Sequence, residues 1–242
     1  MLLLRSVLFT SYLFVSAFVG ATLELLCFWA PFRVRWGIAY GWAAGCIHAG
    51  RILCCMRVVT EGAENLPSGP AVALIKHTTA LETYWQIWAL PPQVWVLKRE
   101  LTWIPLFGWG LGLVMKPIAI DRGGGGRAVR QVIEQGRARL AKGLWVSIFP
   151  EGTRVPPGET RRYGVSGAAL ALDFGCPVVP VAHNAGDVWP KRGWIKRPGT
   201  VRFVIGPPID PAGKDVRQVN DEAQAWIEAK MREISTLYGP GQ

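Results

Sequence analysis

An α/β sheet with helices over its faces, preceded by a hydrophobic membrane segment, is the fold class that the 242-residue sequence predicts. Three observations lead there. Half of the residues are hydrophobic and only 18% are charged, too apolar for a disordered chain. The apolar excess is concentrated at the front, where residues 6 to 23 carry no charge. Behind Arg57, short apolar runs alternate with amphipathic stretches, the pattern of strands alternating with helices.

The front comes first. Between Met1 and Phe32 the only charges are Arg5 and Glu24, and the uncharged eighteen residues span about 27 Å as a helix, close to a bilayer core. A cleaved signal peptide is the competing reading, with Arg5 as its positive flank and Val19-Gly20-Ala21 as the small-residue site. Against it, the apolar character continues through Leu23, Leu25, Leu26, Phe28 and Trp29. A second uncharged stretch, residues 36 to 50, spans only about 22 Å and fits an in-plane or re-entrant helix. Up to residue 57 there are five arginines, one acid and no lysine, a combination that favours an anionic membrane surface. The division is therefore residues 1 to 56 as membrane-anchoring helices and 57 to 242 as the catalytic domain.

In that second part strands are expected at 71–76, 93–97, 117–121, 144–149, 177–182 and 200–205. Helices are expected at 79–89, 127–141, 165–174 and 218–236. Sites in such sheets gather at the carboxyl ends of the strands. The net charge of +10 permits nucleic-acid binding, but no zinc spacing, RNP-like strand or basic heptad supports it, so no nucleic-acid partner is expected. Five cysteines, odd in number and four of them in the hydrophobic front, read as reduced packed thiols, and the three histidines belong to no metal-ligand pattern. No metal is expected.

Two segments carry chemistry. In Lys76-His77-Thr78-Thr79-Ala80-Leu81-Glu82 a histidine ends a buried strand and a carboxylate follows five positions later at a helix start. A turn there brings them together, the acid fixing the tautomer while the other ring nitrogen takes a proton. The same Thr79-to-Glu82 spacing also fits a capping box, in which Glu82 bonds the Thr79 backbone. In Phe149-Pro150-Glu151-Gly152-Thr153-Arg154, a turn after an apolar strand presents a carboxylate and a guanidinium.

Together, His-x4-acid and Phe-Pro-Glu-Gly-Thr-Arg resemble the glycerolipid acyltransferase family, in particular the bacterial 1-acyl-sn-glycerol-3-phosphate acyltransferases, over roughly residues 57 to 210. Lys98-Arg99-Glu100-Leu101 with Ile104 to Trp109 and Ile118 to Arg122 looks like that family's second block, and Val178 to Val181 like its fourth. Two departures stand out: the family usually has Asp where Glu82 stands, and often Asn before the histidine where this chain has Lys76. The resemblance implies a mixed sheet flanked by helices. It also implies acyl transfer from a thioester, acyl-CoA or acyl carrier protein, to the sn-2 hydroxyl of lysophosphatidic acid. His77 is the implied general base and Glu82 its partner. Lys98, Arg154 and Arg122 are the implied phosphate contacts, with Glu151 and Gly152 shaping that pocket. No cofactor is implied, the partners are membrane lipids and the acyl donor, and the implied location is the bacterial inner membrane with the catalytic domain facing the cytoplasm. Another lysolipid, such as a lyso-ornithine lipid, is the alternative acceptor, and a non-catalytic membrane lipid-binding protein is the alternative class.

Four further features invite functional readings. Gly164-Val165-Ser166-Gly167-Ala168 approaches a nucleophile elbow but follows polar sequence instead of a buried strand. Gly123 to Gly126 precedes a helix without the Gly-Lys-Ser/Thr of a phosphate loop. His183 ends a strand with no acid five residues on and reads as structural. The segment from Trp189 to Arg197 interleaves aromatics and bases, as a solvated loop or a contact for lipid headgroups does.

Overall fold

The computed structural model describes residues 1–121, 125–190 and 194–239. Two long helices, α1 (Leu2–Leu26) and α2 (Phe32–Cys54), precede β1 (Met56–Glu61), β2 (Val72–Ile75), α3 (Leu81–Ala89) and β3 (Gln93–Lys98). A helical turn α4 (Phe107–Trp109) and a π-helical turn (Gly110–Met115) lead to β4 (Ile118–Ile120). Then come α5 (Gly126–Leu140), β5 (Trp145–Ile148), α6 (Ser166–Phe174), β6 (Val178–His183), α7 (Ala185–Val188), β7 (Gly199–Ile205) and α8 (Val216–Ile234).

The strands form one seven-stranded sheet in the order β1-β7-β6-β2-β5-β3-β4. It is mixed: β6, β2, β5, β3 and β4 run parallel, β7 runs antiparallel to β6, and β1 is parallel to β7. All six expected strands and all four expected helices of the second part are present. Sequence reading misses β1, whose Met56-Arg57-Val58-Val59-Thr60-Glu61 is not an apolar run and whose partner, starting at Gly199, lies far along the chain. The second hydrophobic stretch also forms a longer helix than its charge-free core suggests. Its 23 residues, about 34 Å, continue through Arg33 and Arg35 at one end and Arg51 at the other.

Burial on both faces explains why β2 and β6 read as continuous apolar runs. Alternation sorts their side chains. Val72 and Leu74, with Val146, Ile148 and Val178, pack under α5, α6 and α8. Ala73 and Ile75, with Trp145, Val179, Val181 and Phe203, pack on the opposite face against Leu81 and Trp85 of α3 and against Phe9 of α1 and Cys54 of α2. The amino-terminal helices thus share a core with the sheet.

Helix α1 lies against the rest of the protein at both ends. Near its start, the Lys196 backbone N–H donates to Ser6 Oγ at 2.8 Å and the buried Phe9 ring meets Trp189 edge-on. Near its end it packs on the turns Phe107–Trp109 and Gly110–Met115. Its other side exposes Leu4, Leu8, Val15, Val19 and Leu26. By length and composition, α1 is the one described helix that could cross a membrane.

On the far face α5 and α6 meet through Gly136, where a Cβ would come within 2.5 Å of Leu170 Cδ2. Gly136→Val is therefore expected to cost about 1–3 kcal/mol by overpacking. It should lower the thermal unfolding midpoint of the detergent-solubilised protein by roughly 2–4 °C per kcal/mol.

Candidate active site

Three adjacent parallel strands, β5, β2 and β6, deliver their carboxyl ends to one place, where His77, Glu151 and His183 arrive. Every polar backbone atom of His77 is engaged. Its N–H faces Glu151 Oε1 at 3.4 Å, and its carbonyl accepts from the Val155 N–H at 2.8 Å. The imidazole stacks on Phe149, 3.9 Å between centroids and 15° between planes.

His77 Nδ1 lies 2.9 Å from Glu82 Oε1. The same oxygen accepts from the backbone N–H groups of Thr78 and Thr79, at 2.8 and 2.6 Å, and Glu82 Oε2 accepts from the Thr79 hydroxyl at 2.5 Å. Thr79 Oγ1 in turn accepts from the Leu81 N–H at 2.9 Å, closing the first turn of α3. One carboxylate thus makes both the contact with His77 and the contacts with the backbone of the turn. Burial pushes its carboxyl up, but His183, the His77 imidazole and the Thr79 hydroxyl outweigh that and hold it at about 2. Burial pushes His183 down, toward its neutral ring, so the convergent donors do more of this work than a charge on His183. With Nδ1–H given to Glu82, Nε2 of His77 is the nitrogen left to act as a base.

His183 is fully buried. Its Nε2–H donates to the Lys76 carbonyl at 2.7 Å and its Nδ1 accepts from the Ala185 N–H at 3.3 Å. Although it lies 3.9 Å from Glu82 Oε2, both of its nitrogens are committed, in keeping with a structural role.

Alternation along β2 sends Lys76 to the face opposite His77. There, wholly buried, its ammonium pairs with Glu228 of α8 at 2.6 Å and with Glu151 at 3.3 Å, while the Tyr163 hydroxyl donates to Glu228 at 2.9 Å. Two carboxylates on one buried cation leave one excess negative charge. Accordingly burial lifts the Glu151 carboxyl to about 7, against the opposing pull of Lys76. Glu151 thus sits beneath His77, buried away from solvent, and ties the end of β5 to the end of β2. Gly152 supplies the positive φ of +68° that its turn needs.

His77 opens on a cavity of about 810 Å³, walled by α1, α2, α3 and β3 and lined mainly by apolar groups such as Leu13, Phe18, Trp42, Ile87 and Met115. Arg154 also lines it. Lys98 does not: the lining takes Trp95, Val96 and Leu97 from β3, while Lys98 pairs with Glu100 at 2.9 Å, both half-exposed. Arg122 lies outside the described residues, as do Gly123 and Gly124 of the glycine run. Ser166 begins α6 after an irregular segment, so no strand delivers it as an elbow would require. Sequence reasoning missed Lys76 and Glu228 as a pair, since their 152-residue separation leaves no local signal. It also did not single out Lys196, which lines the cavity.

The two carboxylates at this site should respond differently to amidation. Glu82→Gln places an N–H₂ among groups that are all donors and removes the charge that supports an imidazolium, so a fall in kcat of at least about 10²-fold is expected. Glu151→Gln mimics a neutral carboxyl and can still accept from the His77 N–H, so its loss in kcat should be much smaller. Side-by-side kcat measurements on folded variants test the contrast.

Residues 57–184 match the family model described as Acyltransferase. The chain is 44% identical to a 1-acyl-sn-glycerol-3-phosphate acyltransferase of Pseudomonas aeruginosa, over 97% of this chain and 93% of that protein. It is 28% identical to one from Limnanthes alba, over 97% of this chain and 83% of that protein. The crystal structure of the 1-acyl-sn-glycerophosphate acyltransferase of Thermotoga maritima superposes with a TM-score of 0.78, at 22% identity, over 96% of this chain and 97% of that one, and so shares its fold. The His77–Glu82 pair and the Glu151 turn both fall within the matched segment, and the chain belongs to the acyltransferase family.

Proposed function

We propose that this protein transfers a fatty acyl group from an acyl thioester to the sn-2 hydroxyl of 1-acyl-sn-glycerol-3-phosphate, giving phosphatidic acid. The observation that carries the reading is the His77–Glu82 pair opening on an apolar cavity large enough for lipid chains. The relatives' names supply the acceptor.

In this reaction His77 Nε2 takes the proton of the acceptor hydroxyl as its oxygen attacks the thioester carbonyl. Glu82, kept anionic by its donors, holds the Nδ1–H tautomer and stabilises the imidazolium. Collapse of the tetrahedral intermediate breaks the carbon–sulfur bond, and the departing thiolate recovers the proton from His77. The thioester is already activated, so no acyl-enzyme is needed. Arg154 is the phosphate contact with a place in the cavity lining, its planar fork suited to bidentate bonding. The donor is acyl-CoA or an acyl carrier protein.

The site works at a membrane surface. Because α1 is held against the protein at both ends and exposes an apolar side, it lies along the interface with that side in lipid, and the exposed Arg33 and Arg51 of α2 are free to meet anionic headgroups. The catalytic domain then sits on the cytoplasmic face of the inner membrane, where acyl thioesters are made.

Purified full-length protein should convert lysophosphatidic acid and an acyl thioester to phosphatidic acid, and His77→Ala should lower that rate by about 10²- to 10⁴-fold while remaining folded. A wild-type protein inert toward lysophosphatidic acid would overturn the reading. Exchanging the exposed Leu8 and Val15 together for Asp should weaken co-flotation with anionic vesicles and leave the melting temperature in detergent nearly unchanged.

A further inference from the structure

Two described lysines are almost entirely buried, and they are treated differently. Lys76 is matched by two carboxylates. Lys196, 5% exposed, pairs with no carboxylate among the described residues. Its ammonium donates to Thr10 Oγ1 at 2.7 Å and to the Trp194 carbonyl at 3.2 Å, and it lies 5.3 Å from the centre of the Trp189 ring. A lysine ammonium has three donors, so one remains. Burial of this charge without a counter-ion pushes its pKa down, a cost that an anion alongside would offset.

That anion has a place to come from. Lys196 lines the same cavity as His77. The Trp189 ring beneath it stacks on Tyr84, 6.5 Å away, and Tyr84 is close enough to Arg154 to feel its charge. The lining carries the cations Arg154 and Lys196 and the carboxylate of Glu24, together with apolar groups such as Leu101, Ile104, Leu106 and Met115. At 5% exposure Lys196 is out of reach of headgroups in the bulk bilayer, so its ligand is a molecule inside the cavity.

We infer that Lys196 binds the phosphomonoester of the lysolipid acceptor, the acyl chain of which lies among the apolar groups while its free hydroxyl meets His77. This rests on the reaction proposed above. Phosphate groups also occur in the donor, on coenzyme A or a phosphopantetheine arm. The acceptor is favoured because its phosphate is joined to the reacting hydroxyl by a short glycerol, whereas a phosphate of the donor lies at the far end of a long pantetheine arm.

The test compares full-length wild type, Lys196→Gln, Lys196→Met and Lys196→Arg in detergent, each checked by thermal melting. Glutamine keeps hydrogen-bond donors for Thr10 and Trp194 but has no charge. Initial rates are measured against lysophosphatidic acid, against the thioester, and with phosphate-free 1-acylglycerol as acceptor. The expected result is a rise of about tenfold or more in the KM for lysophosphatidic acid in the Gln and Met variants. The donor KM should stay unchanged, the preference for lysophosphatidic acid over 1-acylglycerol should shrink by a similar factor, and Arg should recover most of the loss. An unchanged acceptor KM, a rise confined to the donor KM, or an equal loss on both acceptors, as for a mere strut between α1 and the domain, would each overturn the inference. A wild type that turns over lysophosphatidic acid beside variants with unaltered KM removes this inference alone, whereas an inert wild type removes the underlying reaction as well.

Discussion

The carboxylate of Glu82 is the point on which the site depends. It has no exposure to solvent, and it survives there as an anion only because the His77 ring, two successive backbone N–H groups and the Thr79 hydroxyl all donate to it. Those donors are supplied by the turn between β2 and α3. One ion therefore caps the helix, fixes the turn and orients the imidazole, and none of the three can be altered without disturbing the others. The extra methylene of Glu relative to Asp is accommodated because α3 starts at Leu81, after the donors.

Strand alternation does the next piece of work. His77 and Lys76 are neighbours in sequence, yet the pleat sends one toward the cavity and the other beneath the sheet to α8. Lys76 is wholly buried, and the chain matches its charge with Glu228, beyond the segment that matches the family model. A buried cation of this kind is not in itself stabilising, since desolvation offsets the attraction. What it supplies is connection: β2, β5 and α8 are tied together directly under His77.

The cavity is a product of the amino-terminal helices as much as of the sheet. Helices α1 and α2 wall it off while presenting apolar side chains outward, so the surface that favours lipid and the chamber that would hold lipid share the same helices. Phe9 and Cys54 belong to the same buried cluster as Val179 and Phe203, which makes the amino-terminal helices part of the folding unit.

The strands 71–76, 93–97 and 177–182, the helix expected at 218–236 and the His77 and Glu151 motifs were legible because each is written locally, in an apolar run, a period or a short spacing. Even so, the start of α8 was marked by the Asp215–Gln218 capping box, a local signal that periodicity alone passes over. Strand β1 was not legible, because a polar edge strand is defined by its pairing with β7 and not by its own residues. The sequence by itself determined an α/β sheet behind an apolar front, with a histidine and a carboxylate at the end of one strand. Only the tertiary structure decided that Lys98 turns to Glu100, that Glu151 goes beneath the site, and that Lys76 and Lys196 meet opposite fates. Lys76 meets its counter-ion Glu228 across 152 residues of chain and the Lys196 ammonium meets the neutral Thr10 hydroxyl across 186, separations that no local pattern encodes.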